Sequence, residues 1–293
     1  MKRKSFALLM VLIMSILCAF TFVGCSEIDD YFLETTTGQG YVRDGAYVTY
    51  GEYAQTIKEQ TVEVSDIKDS RGYYYGLDGE YYAKVVASSS ANGKKFSTGE
   101  QIVAGRVYYF KVEPIKWEII KETNGELMVF SVKVLDETNR YGKSTNNYIN
   151  SDIRNLLNYD FIQLAFAGYK TSLIKRNTVS NNVYSTGYEK NGYACGNTND
   201  KIFLPSYREV FGEEYGTWNE ERRMRLASDY LIAQGVSINT SKDFYGCTEY
   251  MLRSPANDDI RDYRIVAKDG TFSEKYVGYS CGYAPSLWLK VEN

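Results

Sequence analysis

The chain of 293 residues contains no histidine. That absence removes the Ser-His-Asp and Cys-His catalytic arrangements, the His-ligated zinc sites and the side chain that most often moves protons near neutral pH. An enzyme built on this sequence would have to work with carboxylates, tyrosine, lysine or cysteine. Cysteine is scarce as well, five in all with no C-x-x-C spacing, which makes a poor metal set. Lysine and arginine number 34 against 37 acidic residues, and they are dispersed. No basic stripe alternates with aromatics, so a nucleic-acid partner is not expected. After residue 25 no apolar run approaches the ~18 residues that a membrane-spanning helix needs.

What the N-terminus does contain is specific. Lys2, Arg3 and Lys4 precede an apolar run over residues 6–22, and the run closes on Phe22-Val23-Gly24-Cys25. This is the pattern of a bacterial lipoprotein signal, in which a small residue before cysteine permits lipid transfer to the thiol before cleavage. The expectation is a signal over residues 1–25, lipidation at Cys25, a tether over 26–45 and an exported domain over 46–293, anchored by lipid on the extracellular face or in the periplasm. An ordinary signal peptide or an uncleaved anchor would export the domain equally. Cys18 leaves with the signal, so Cys195, Cys247 and Cys281 remain, an odd number for an exported protein. A Cys247–Cys281 disulfide with one free thiol is expected, because the two flank segments expected to run side by side. Three reduced, buried cysteines form the alternative.

Tyrosine is the opposite extreme, with 28 residues spread along the whole chain. Its ring buries area while its hydroxyl keeps a hydrogen bond, which suits strands and wet recognition surfaces alike. Strand patterning opens with Tyr47-Val48-Thr49-Tyr50, and residues 88–99 form a polar loop. A long strand over 107–121 alternates Ile115, Trp117 and Ile119, and Thr123-Asn124-Gly125 turns it into a partner over 127–135. In the middle, Asn150-Ser151-Asp152 caps a helix carrying Ile153, Leu156, Leu157, Phe161 and Leu164. Ser206 with Glu209 forms a capping box stopped at Gly212. Thr217 with Glu220 forms a second box, predicting a helix through Met224, Ala227, Tyr230 and Leu231 to Gly235. Strands return at Met251-Leu252-Arg253-Ser254-Pro255, at Tyr263, Ile265 and Ala267 before an Asp269-Gly270 turn, and at Ser286-Leu287-Trp288-Leu289. Antiparallel strands at both ends with two to three helices between them predict a single α+β domain, residues 46–106 being a strand-rich N-terminal part and 107–293 the core.

The series Pro114-Ile115-Lys116-Trp117, Asn150-Ser151-Asp152-Ile153-Arg154, Lys201-Ile202-Phe203-Leu204-Pro205-Ser206, Leu252-Arg253-Ser254-Pro255, Asp269-Gly270 and Pro285-Ser286-Leu287-Trp288-Leu289 resembles the DUF6273 family. Gly51-Glu52-Tyr53-Ala54-Gln55-Thr56 is similar to a "fGsYpQt" opening found ahead of that domain. The resemblance runs in order from about residue 46 to 290. It implies a fold similar to C-type lectin-like and formylglycine-generating-enzyme-like domains, in exported bacterial proteins with no settled activity. It marks Trp117, Arg253, Ser254, Pro255, Pro285 and Trp288 as structural signature residues. Two positions depart from the pattern: Met251 stands where the family usually has tryptophan, and Ala284 where it usually has arginine. Loss of that arginine removes a five-donor fork. Arg253, within an apolar strand, is expected to be a buried, fully hydrogen-bonded strut that helps the two terminal signature segments lie together.

Chemical candidates are few. Asn257, Asp258, Asp259 and Asp262 form an oxygen-rich loop that could hold calcium, although no regular ligand spacing marks it and a solvated acidic loop is the plainer expectation. The adjacent pairs Asp258-Asp259 and Glu213-Glu214 show nothing beyond adjacency to suggest a glycosidase. Formylglycine-generating enzymes use two closely placed cysteines, which Cys247 and Cys281 would imitate only if they met in space. The expected function is a non-catalytic binding or adhesion module for glycan or protein at the cell envelope. A cysteine- or carboxylate-dependent enzyme and a purely structural envelope component are the alternatives.

Overall fold

The computed structural model describes residues 36–212 and 214–292. The lipoprotein signal over 1–25, Cys25 and the first part of the tether therefore lie outside the described residues. The chain joins the fold before residue 46. Strand β1 (Val42–Asp44) pairs antiparallel with β2 (Tyr47–Ile57). Ahead of β1, the Gln39 amide donates to the Gly168 carbonyl at 3.0 Å and its carbonyl accepts from the Lys170 amide at 3.0 Å. The expected tether boundary is corrected accordingly, since residues 36–45 belong to the fold. Gly38 allows the close approach: at φ 118° a side chain is disfavoured, and a Cβ would stand 2.8 Å from the Gly168 carbonyl oxygen.

Three strands, β3 (Val64–Lys68), β4 (Tyr74–Gly76) and β5 (Tyr81–Val86), form a meander that leads into the long β6 (Val107–Thr123). The strand β6 is the centre of a ten-stranded sheet. Its Lys111 pairs with Thr56 of β2 on one edge and Tyr82 of β5 on the other. Farther along, Trp117 pairs with Val48 of β2 and with Ser131 of β7 (Glu126–Ser131). Ile115 and Trp117 are fully buried, as the alternation predicts, and the Trp117 indole donates to the Tyr50 carbonyl at 2.8 Å. The β6–β7 turn places Asn124 at φ 48° and Gly125 at φ 79°, the two positive values that a type I′ hairpin requires.

Short strands β8 (Lys133–Val134) and β9 (Asp136–Thr138) precede the helical middle. There α1 (Asp152–Leu156), a π turn over Leu157–Phe161 and α2 (Ile162–Phe166) run on continuously. Ser151 Oγ caps the start by accepting from the Arg154 amide at 3.2 Å. The buried face packs on β2, with Tyr50 against Phe166 at 5.1 Å and Tyr53 against Phe161 at 5.5 Å between ring centroids. Strands β10 (Ile174–Lys175), β11 (Asn177–Val179), β12 (Thr198–Asp200) and β13 (Ile202–Phe203) follow. Helix α3 (Tyr207–Phe211) opens with the predicted capping box, both halves of which form between Ser206 and Glu209.

The helix expected from Thr217 to Gly235 is two helices separated by a strand. Helix α4 (Glu220–Arg223) is capped by Asn219, strand β14 (Arg225–Ala227) follows, and α5 (Asp229–Gln234) is capped by Ser228 and ends at Gly235 with φ 104°. Tertiary pairing overrides the helical spacing here. The strand β14 lies parallel to β8 and antiparallel to β15 (Cys247–Thr248), and buried Arg225 donates to the Ser131, Arg222 and Met224 carbonyls.

Four strands, β16 (Tyr250–Pro255), β17 (Asp262–Val266), β18 (Phe272–Tyr276) and β19 (Cys281–Tyr283), join β9 in a five-stranded sheet of order β18-β17-β16-β19-β9. The last strand, β20 (Ser286–Lys290), returns to the first sheet, pairing with β7 and with β10 and β13. The core between the sheets is aromatic: Phe130 of β7 lies 6.0 Å from Tyr250 of β16 and 6.1 Å from Trp218. With 39% strand against 16% helix in short pieces, the fold is α+β and mostly antiparallel. Among the described residues no helix is long and apolar enough to cross a membrane.

Candidate binding cavity

A cavity of about 390 Å³ opens where the ends of β6, β7 and β20 meet β11 and the 3-10 turn Tyr184–Thr186. Its walls include half-buried Trp288 of β20, exposed Tyr184, buried Tyr215 and the side chains of Lys121, Asn177 and Glu214. Arg253 lies at its base, only 3% exposed. The guanidinium engages Glu209 with both terminal nitrogens, Nη1 to Oε2 at 2.5 Å and Nη2 to Oε1 at 2.7 Å. Nη1 also donates to the Leu204 carbonyl at 2.7 Å, while Nε and Nη2 donate to the Ser180 carbonyl at 3.3 and 3.2 Å. All five N–H groups therefore have acceptors. Burial works against the guanidinium charge and the Glu209 carboxylate outweighs it, leaving the pKa above the ordinary value.

Glu209 links several elements at once. Besides Arg253, its Oε2 accepts from the Ser206 amide at 2.7 Å, completing the α3 cap, and from the Tyr215 hydroxyl at 3.3 Å. Tyr215 in turn shares a hydrogen bond with Ser286 Oγ of β20 at 3.4 Å. The terminal signature segments thus do not pair as neighbouring strands. They stand in different sheets and are joined through Glu209 and Tyr215. At the rim, desolvation by the wall and then the Glu209 charge push the Glu214 carboxyl upward. In the sequence Glu209 is visible only as a helix cap, and Tyr184, Tyr215 and Lys121 carry no local mark. Glu209 reads there as an ordinary capping residue beside Arg208, and nothing in the sequence joins it to Arg253.

The other signature residues have separate places. Trp117 is buried in the first sheet and Pro285 is buried just ahead of β20, its carbonyl accepting from the Ser131 amide at 3.0 Å. Ser254 Oγ accepts from the Tyr207 amide at 2.8 Å and donates to the Ser185 carbonyl at 3.1 Å, and the Pro255 carbonyl accepts from Asn191 Nδ2 at 3.2 Å. Met251 and Ala284, at the departing positions, are both fully buried. Arg154 of the Asn150-to-Arg154 segment pairs with buried Asp200 at 2.8 Å and fastens β12. In the polar loop, Asp259 is occupied by Arg261, which donates from Nε at 3.1 Å, Nη2 at 2.9 Å and its own amide at 2.8 Å, and holds that carboxyl down at about 2. Asp258 is exposed, Asn257 is half-buried, and Asp262 begins β17. Among the described residues no three Cys, Asp or Glu side chains gather as a metal-ligand group.

The expected Cys247–Cys281 bridge is not formed: Cys195, Cys247 and Cys281 are all free thiols. The flanking segments do run side by side, but the register is wrong. Tyr250 pairs in parallel with Gly282, which sets Cys281 beside Glu249, while Cys247 has turned away into β15 beside Leu226. Burial pushes the Cys247 thiol up and the Cys281 thiol up to about 12, and neither lines the cavity.

An α+β scaffold in which three of the signature segments line one cavity, through Phe203, Arg253 and Trp288, is what these observations define. The chain belongs to the DUF6273 family, a domain of unknown function, whose family model matches residues 124–291. The match begins at the β6–β7 turn, whereas the resemblance read from the sequence begins at residue 46. No curated protein and no solved structure matches the chain.

Proposed function

We propose that this chain is an exported, lipid-anchored surface protein whose C-type-lectin-like domain is a non-catalytic recognition module for glycan or protein at the envelope, with the Arg253 cavity as its binding site. The observation that carries the proposal is the make-up of that cavity. Trp288 and Tyr184 supply ring faces and Asn177 an amide at the wall, while the charged group at the base is already saturated by Glu209. Such a wall recognises shape, ring faces and hydroxyls rather than supplying a reactive group. The test is an array of bacterial-wall and host glycans and matrix proteins, probed with the full chain with and without a calcium chelator. Saturable binding that Tyr184→Ala and Trp288→Ala weaken supports the proposal, and loss on chelation would bring calcium to the Asp258–Asp259 loop. Absence of binding in every arm would sink the glycan-adhesin version and favour a purely structural role.

One observation favours the competing enzyme. Glu209 and Glu214 line the same cavity in different environments, one paired with a cation and the other pushed toward its neutral form, the division of labour that acid–base pairs use. Turnover of a glycoside substrate abolished by Glu214→Gln would establish it. The cysteine version has less support, because the thiols of Cys247 and Cys281 are buried and held neutral.

A further inference from the structure

A second feature lies outside the family-matched segment, on the N-terminal strands. Direct cross-strand pairing sets Lys68 of β3 opposite Tyr74 of β4, and Lys84 of β5 opposite Tyr109 of β6. The two tyrosines meet edge to face at 5.7 Å. Both ammonium groups converge on one ring: Lys68 Nζ lies 4.6 Å and Lys84 Nζ 5.7 Å from the Tyr74 centroid. Lys68, Tyr74 and Lys84 line a cavity of about 320 Å³ together with Arg71. Arg71 is already engaged, by Glu52 and by Asp69 at 2.8 Å. The ring quadrupole attracts each lysine, but it does not neutralise two like charges held over one tyrosine.

We propose that this groove binds an anionic saccharide, its carboxylate or phosphate reached by Lys68 and Lys84 and its ring and hydroxyls lying against Tyr74 and Tyr73. Neither lysine has a carboxylate partner among the described ion pairs, and an anion at the Tyr74 ring that both ammonium groups reach forms charge-assisted hydrogen bonds with them. The tyrosines supply the ring faces and hydroxyls that sugars use. A volume of about 320 Å³ lies at the small end of ligand cavities, matching one or two sugar units. The site is independent of the Arg253 cavity and stands or falls separately from it.

Calorimetric titration of the full chain with an oligogalacturonide, a hexose phosphate and a neutral galacto-oligosaccharide tests the proposal. At least one of the two anionic ligands should bind, and which one identifies the anion. Any binding of the neutral sugar should be untouched by the exposed Lys68→Gln/Lys84→Gln double variant, whereas affinity for the anionic ligand should fall as salt rises and drop by about tenfold or more in that variant. Tyr184→Ala, in the other cavity, should leave that binding unchanged. The proposal is overturned by failure of both anionic ligands to bind, by neutral-sugar binding that the lysine variant weakens equally, by anionic-sugar binding that the lysine variant leaves unaffected, or by anionic-sugar binding that Tyr184→Ala removes.

Discussion

At the residue scale, the base of the cavity behaves as one buried ion pair with its hydrogen bonds complete. Arg253→Met leaves Glu209, whose side chain is 14% exposed at the cavity wall, without its countercharge, and the expected loss in urea unfolding is ~2–3 kcal/mol, below the ~3–5 kcal/mol of a fully buried pair. The double variant Arg253→Met/Glu209→Gln should recover much of it, because no orphan charge remains; a double variant as unstable as the single would show that the packed arginine stem matters more than the charge. Asp136 makes a contrasting case. Its carboxyl accepts from the Tyr53 hydroxyl at 2.6 Å, the Glu137 amide at 2.8 Å and Gln234 Nε2 at 3.2 Å, yet burial dominates and pushes its pKa up. The folded state therefore holds the proton more tightly than the unfolded chain. Asp136 contributes most below the ordinary carboxylate value of about 3.9, and its contribution falls as pH rises through the raised folded value. Measured across pH, the stability difference between the parent chain and Asp136→Asn should shift in that direction; a flat difference would mean that Asp136 titrates alike in both states.

At the scale of elements, local chemistry and distant pairing divide the fold between them. The β6–β7 turn is local: Gly125 sits at φ 79° with nothing within 4 Å of where a Cβ would stand. Gly125→Ala should therefore lower stability by about 1–2 kcal/mol from backbone strain alone. Gly270→Ala should cost more, since its Cβ would strike the Glu220 carbonyl oxygen as well; thermal unfolding of the two variants checks the order. Such turns, the Ser206–Glu209 box and the alternation of β6 were legible in the sequence because each depends on neighbours a few residues away. The split of the 217–235 region was not, since β14 is drawn out of helix by β8, far upstream. Nor was the cysteine register, which a two-residue offset between β16 and β19 decides. Arg253 and Trp288 were legible as signature residues, but their meeting in one cavity depends on two sheets packing, and Tyr184 arrives there from a segment without any distinguishing pattern.

At the scale of the molecule, the family-matched segment and the folding unit differ. Residues 124–291 omit β2, β5 and β6, and with them Trp117, Phe110 and Ile115, all fully buried. A fragment spanning 124–293 should show no cooperative thermal transition and no near-ultraviolet dichroism, while the full chain shows both. A cooperatively folding fragment would mean that the second sheet and helices suffice.

The position of β20 also bears on how the chain is made. Its five residues close the edge of β7 and tie in β10 and β13, yet all of β8 to β19 lies between them and β7 in the chain. A chain made from its N-terminus carries β7 with one open hydrogen-bonding edge until β20 arrives. Pairings of such long sequence separation form slowly, and an unpaired edge invites association with other chains meanwhile. Folding of this protein thus has a built-in waiting period, during which the yield depends on unfinished chains being kept apart.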